Sequence, residues 1–218
     1  MNVETSIASP LREPRQGRSR ASFERMLAAA EKLMAERGSD EFTLNEVAKT
    51  GKVSIGSIYC RFTGKDELMR AVQVRVLERV DADQFALLER TRAEARDLVE
   101  LTHLLVERIA ESLRAHGDAM RPLMLRASAD PVVAATGKGS YARFADAVYE
   151  AMLAYRDQIR QPDPDRAVRS AYRIIYATIA RYLGFGSATD AAWEGDWTIL
   201  KEDLSRMVAA FLTTEPRA

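Results

Sequence analysis

Along most of the chain apolar residues recur at steps of three and four, the spacing of a helix with one buried stripe. Phe23, Met26, Leu27, Ala30, Leu33 and Met34 form the first stripe and predict a helix that ends at Gly38. Thr43-Leu-Asn-Glu46 has the spacing of a capping box, in which a hydroxyl and a carboxylate satisfy first-turn amides, and opens a short second helix stopped by Gly51. Ser54 is placed to cap a third short helix reaching about Tyr59. Thr63 is placed to cap a fourth, with Asp66 at its positive end. Further stripes follow through Val72, Val76 and Val80, through Leu98, Leu101, Leu105, Ile109 and Leu113, and through Phe144, Val148 and Met152. The last two run through Tyr172, Ile175, Tyr176, Ile179 and Leu183 and from Trp197 to Leu212. Asp163-Pro164 reads as a helix start and Gly184-Phe-Gly186 as a stop. Arg173 to Ile179 favours a strand by propensity, but the 3.6-residue period continues through it. With no hairpin signal and no repeat, the fold reads as all-α.

Residues 1–18 contain Pro10, Pro14 and Gly17 with almost no periodic apolar residues, and read as a flexible arm. Residues 19–65 hold the short helices, and residues 66–218 a larger helical domain. Composition sharpens this division. The formal net charge of zero hides eleven Lys/Arg against eight Asp/Glu in residues 1–65. Arg12, Arg15, Arg18 and Arg20 lie close together with Glu13 as the single acid among them, which suits an anionic partner. One cysteine, Cys60, and a start without a basic and then apolar stretch point to the cytoplasm. No charge-free run approaches the roughly 18 apolar residues of a bilayer span, so no membrane partner is expected.

The two short helices joined by Gly51-Lys-Val53 have the proportions of a helix-turn-helix, with Val47, Ala48, Val53 and Ile58 packing the pair together. Gly56 and Ser57 let the second helix approach a surface closely. Ser54, Ser57, Tyr59, Arg61 and Lys65 supply hydrogen-bond donors around this unit, where a protein-binding helix would show an apolar stripe. Phe23 to Leu68, and above all Ala48-KTGKVSIGSIYCRFTGKDE-Leu68, resembles the DNA-binding domain of the TetR family of transcriptional regulators.

The resemblance covers about the first third of the chain and implies a homodimer on a palindromic double-stranded DNA operator, most simply as a ligand-responsive repressor. It implies that Thr43 bonds a phosphate, that Ser54 and Ser57 sit at the groove, that Tyr59 and Arg61 hold the backbone and that Lys65 adds a cation at a helix N-terminus. Arg18 and Arg20 of the basic segment join this set. Thr43 and Ser54 serve equally as helix caps, and Tyr59 as a packing residue. Where the family usually has Ala-Gly this chain has Gly51-Lys52, which puts Lys52 where a positive φ is expected, at about 1 kcal/mol. Ile55 takes a groove position often polar in the family and suits thymine methyls rather than guanine.

Catalytic chemistry is thinly represented. His103 and His116 lack metal-ligand spacing and Cys60 lacks a neighbouring base, so no metal, cofactor or enzymatic activity is expected. Cys60 reads as a semi-buried packing residue or, beside Arg61, as a redox-sensitive thiol. Thr136 to Ser140 has some of the residues of a phosphate loop but not its pattern, and reads as a flexible link. The later helices carry Met120 and Met124 in a segment broken by proline, Phe144 and Tyr149 on one helix and Tyr172 and Tyr176 on the next. Met conforms to varied ligands and Tyr presents an apolar face with one hydroxyl, so these residues, with His103, are candidates for a small, largely apolar effector between the helices following Leu98, Ser140 and Asp163. Each serves equally in an ordinary core. The last two helices are expected to pair across a two-fold axis, or else to complete the monomer core. The rival reading is an all-α small-molecule carrier or enzyme with a vestigial DNA-binding domain.

Overall fold

The computed structural model describes residues 15–186 and 195–216, with side chains from Ser19 onward. Among the described residues there are nine α-helices and no strand. They are α1 (Arg15–Arg37), α2 (Leu44–Gly51), α3 (Ile55–Tyr59), α4 (Lys65–Glu94), α5 (Leu98–Ala115), α6 (Gly117–Arg126), α7 (Pro131–Leu153), α8 (Pro164–Tyr182) and α9 (Trp197–Thr213). A single 3-10 turn, Arg156–Gln158, links α7 to α8. None of these helices is long and apolar enough to cross a membrane. The chain is all-α, an N-terminal helix-turn-helix unit followed by a larger helical part.

The stripes are buried largely where the periodicity placed them, except on α9, where Leu204, Val208 and Leu212 are buried but Met207 and Phe211 of the expected stripe are exposed. Met26, Leu27, Ala30, Leu33 and Met34 of α1 close over Val47, Ala48 and Ile58, and Phe23 stacks on Phe62 with ring centroids 5.8 Å apart. Thr43 caps α2 through its side chain while Glu46 returns a carboxylate oxygen to the Thr43 amide at 2.8 Å, completing the capping box. Ser54, Asp97, Asp130, Asp163 and Asp196 cap α3, α5, α7, α8 and α9 by accepting first-turn amides through their side chains.

The turn between α2 and α3 explains the Gly51-Lys52 order. A Cβ at Gly51 would stand 2.9 Å from the Arg25 carbonyl oxygen of α1, so this position needs glycine for close approach. Lys52 carries the left-handed conformation, φ 51° and ψ 48°, and its N–H closes α2 on the Ala48 and Lys49 carbonyls. The turn therefore keeps its place and a lysine bears the backbone cost.

Several expectations are corrected. Helix α1 takes in residues 15–18, which were expected to belong to a flexible arm; residues 1–14 lie outside the described residues. The fourth helix is not short. It begins at Lys65 with Gly64 rather than Thr63 as its cap residue, and runs 30 residues; Thr63 instead donates its N–H and hydroxyl to Glu67, at 2.7 and 2.8 Å. Thr136 to Ser140 is no link but the middle of α7. Pro122 does not break α6: the hydrogen bond it omits is the one to the Asp118 carbonyl, on an exposed first-turn residue that water can serve.

Two neighbouring substitutions separate space from backbone conformation. Gly51→Ala is expected to destabilise the fold by about 1–3 kcal/mol through the clash with α1, whereas Lys52→Gly is expected to stabilise it by up to about 1 kcal/mol. Urea denaturation midpoints of the two variants against the parent check both signs.

Candidate nucleic-acid interface and ligand cavity

Helix α3 stands at the surface with α2 behind it. Its capping Ser54 is exposed and Ser57 half-exposed, with their hydroxyls 2.7 Å apart, and Tyr59 at its C-terminal end is 61% exposed. An aromatic residue this exposed packs little within the domain, which favours the surface reading of Tyr59. Lys52 and Arg20 are exposed and make no ion pair among the described residues, whereas the Arg18 side chain lies outside them. Lys49, which the sequence reading missed, is likewise exposed and free of an ion pair; its signal is its place one helical turn before Lys52, beside the turn itself.

Other candidates already have internal work. Thr43 Oγ1 accepts from the Glu46 amide at 3.2 Å and lies 2.9 Å from the Glu46 carboxylate, so its hydroxyl is spent on the cap. Arg61 donates to the Ser19 carbonyl at 2.8 Å and to the Ser19 hydroxyl, and lies over the Phe23 ring at 5.5 Å. Lys65 bonds the Asp40 carbonyl and sits 4.9 Å from the centroid of Phe42. Ile55 is half-buried against the core. Cys60 is exposed, which corrects its reading as a semi-buried packing residue.

Where the helix-turn-helix meets the larger part, five charged residues converge. Arg126, at the end of α6, bonds Asp40 of the α1–α2 loop and, at 2.6 Å, Asp66 in the first turn of α4. Arg70 of α4 makes a two-pronged contact with Asp130, at 3.1 and 3.3 Å, and this hydrogen bond, with those from the Val133 and Val132 amides, holds the Asp130 carboxyl below the usual carboxylate range.

A cavity of about 540 Å³ lies between α4, α6, α7 and α8, with Leu113 of α5 at its edge. Four of the expected residues line it: Met120, Met124, Tyr172 and Tyr176. Three do not. Phe144 is sealed in the core behind Tyr172 and against Phe85, Tyr149 packs on Tyr172 beneath Arg169, and His103 is exposed on α5 with Nδ1 2.9 Å from the Ser205 hydroxyl of α9. Helical period alone does not tell which side of a buried helix faces a void. The wall also includes Gln73, Leu77, Val80 and Gln84 of α4 and Tyr141 of α7. The four α4 residues fall at i, i+4, i+7 and i+11, so they share one face, a signal present in the sequence.

Residues 26–72 match the sequence profile of bacterial regulatory proteins of the tetR family. That segment carries the DNA-binding domain of the tetR family. Solved structures agree in fold across most of the chain. A protein from Mesorhizobium loti described as a TetR-family transcriptional regulator superposes with a TM-score of 0.67 at 19% identity, over 91% of this chain and 97% of its own. GusR of Salmonella enterica gives 0.63 at 20% identity over 94% and 100%, and a transcriptional regulator from a Rhodococcus species 0.64 at 18% over 89% and 100%. No curated protein matches the sequence. The matched segment runs from the middle of α1 through α2 and α3 into the first turns of α4.

The capping box gives this domain a pH dependence. Hydrogen bonds from Arg37 and then from Thr43 hold Glu46 down at about 2. A carboxylate lowered in this way stabilises the folded state above its unfolded value near 4.5, and that contribution disappears as pH falls toward 2. Glu46→Gln is therefore expected to lower the melting temperature at pH 6 and to converge on the parent by pH 2, as thermal melts across that range will report.

Proposed function

We propose that this DNA-binding transcriptional regulator is a ligand-responsive repressor that acts as a homodimer on a palindromic operator. The observation that carries the reading is that one helix, α4, leaves the helix-turn-helix at Lys65 and walls the cavity from Gln73 to Gln84. In this reading residues 19–65 are the DNA-binding unit and 66–218 the regulatory one, the division falling at the start of α4. A single α3 offers few contacts, and two half-sites about 34 Å apart supply the rest. The surface that pairs the subunits is formed by α8 and α9, where Ile174, Ile199, Met207 and Phe211 are 51%, 59%, 68% and 40% exposed. A ligand binding better to a dimer whose two α3 helices no longer fit successive grooves lowers DNA affinity, and DNA lowers ligand affinity by the same factor.

Phosphate contact falls to Lys52, Tyr59, Arg20 and the exposed rim of α3. Thr43, Arg61 and Lys65 act chiefly by holding α2 and α3 in place, and Ser54 and Ser57 pair at the groove-facing start of α3. Gel-shift titrations on DNA upstream of the chain's own gene test this division. Lys52→Ala should weaken binding to all sequences alike and flatten the salt dependence by about one unit per subunit. Lys65→Ala should weaken binding together with a drop in melting temperature. Unchanged DNA affinity in Lys52→Ala, Tyr59→Phe and Arg20→Ala would exclude this surface. Sedimentation at micromolar concentration should give a dimer, shifted toward monomer by Met207→Glu; a monomeric parent would exclude the pairing.

A further inference from the structure

The cavity is more than an apolar void: phenols, amides, serine hydroxyls and one ammonium line it. Tyr141 stacks on Tyr172 at 5.7 Å and meets Tyr176 edge-on at 4.7 Å, giving a wall of three rings opposite Met120 and Met124. Burial, followed by the neighbouring Tyr149 and Tyr176, pushes the Tyr141 phenol up to about 12, and burial raises Tyr172 and Tyr176 as well. The three phenols are therefore neutral at physiological pH and repel no anion.

Gln84 is 7% exposed and its amide, facing the cavity, has no hydrogen-bond partner among the described residues. Its polar atoms stay open to the cavity, so a ligand that displaces water there must replace those hydrogen bonds. Gln73 differs, since its amide donates to the Val133 carbonyl at 2.8 Å. One lining residue carries charge: Lys138 of α7, without an ion pair among the described residues. Among the described residues no carboxylate lines the cavity.

The two unpartnered groups are set apart along the cavity. Helices α4 and α7 run in the same direction, Gln73 beside Val133 and Gly137, Asp81 beside Ser140 and Arg143. Lys138 thus stands level with Leu77, and Gln84 lies seven residues further on, about 10 Å at 1.5 Å per residue. Between them lie Val80 and the aromatic wall, with the Ser140 hydroxyl already bonded to Asp81.

We propose that the cavity, read as the effector site, takes an arylalkyl carboxylate whose inner end bears a hydroxyl or carbonyl. Its carboxylate meets Lys138, its ring lies along Tyr141, Tyr172 and Tyr176, and its inner oxygen completes Gln84. A cationic ligand finds no counter-charge there, and a purely apolar one leaves both Lys138 and Gln84 unanswered.

Calorimetric titration of the full chain with 4-phenylbutanoate, 4-phenylbutanamide and 4-phenylbutylamine at pH 7 tests the anionic end, and 4-(4-hydroxyphenyl)butanoate the inner one. The carboxylate is expected to bind at least tenfold tighter than the amide or the amine, and Lys138→Ala, an exposed position whose loss leaves the core intact, to remove that advantage while amide binding persists. The added phenol is expected to gain affinity in the parent and to lose that gain in Gln84→Leu. Equal binding of carboxylate, amide and amine would overturn the carboxylate class while leaving the cavity as a ligand site. A carboxylate advantage that survives Lys138→Ala would overturn the assignment of Lys138. Absence of binding by all four compounds would overturn both the class and the effector reading of the cavity.

Discussion

An α-helix cannot bend sharply without breaking its own hydrogen-bond ladder, and α4 runs 30 residues without a proline or an internal glycine. That constraint organises the molecule. At its first turns Leu68 and Met69 are buried with the helix-turn-helix, at its middle Val72, Val76 and Val80 are buried in the core, and Gln73 and Gln84 face the cavity. In the proposed ligand-responsive reading, a displacement of the cavity wall would travel along this rod to the end where Lys65 contacts the α1–α2 loop.

The rod is clasped where it crosses from one part to the other. Arg126 is only 14% exposed in its side chain and holds Asp40 and Asp66 at once. Such a charge is expensive to desolvate, and it becomes favourable only when several carboxylates share it. The geometry makes the clasp sensitive to α6, because the same ten-residue helix presents Met120, Leu123 and Met124 to the cavity. Arg70 and Asp130 fasten the start of α7 to α4 beside it. Two walls of the cavity thus end in ion pairs that reach the helix-turn-helix or the root of α4.

Much of this architecture was legible in the sequence, because local chemistry sets it. Thr43 with Glu46, Ser54, Asp163 before Pro164, and Gly184 act through groups within a few residues of themselves, so spacing was enough. The length of α4 was not legible from Thr63 and Asp66, since the carboxylate that engages Thr63 belongs to Glu67 and the cap residue has no side chain. Two glycines made Thr136 to Ser140 read as a link, yet burial of Val133, Ser140 and Phe144 on one side of α7 outweighs their low helix propensity, about 1 kcal/mol each. The cavity was half legible. Met120, Met124, Tyr172 and Tyr176 were found by residue type, but Phe144 and Tyr149 show the same types turned into a packed core, and facing is decided by tertiary neighbours.

The candidate interface shows the same limit from the other side. A hydroxyl or cation at a family position carries no label for what it bonds. In the folded domain Thr43 is taken by Glu46, Arg61 by Ser19 and Phe23, and Lys65 by Asp40 and Phe42, so the surface left to meet an anion is narrower than residue type suggests. Those internal bonds are not wasted on the interface. Helix α3 has only five residues, too few to hold a helical conformation by its own hydrogen bonds, and its position depends on the Ser54 cap, the buried Ile58 and the neighbours that Arg61 and Lys65 pin in place. A short recognition element is rigid only when its surroundings are, and here much of the polar chemistry around α3 is spent on making them so.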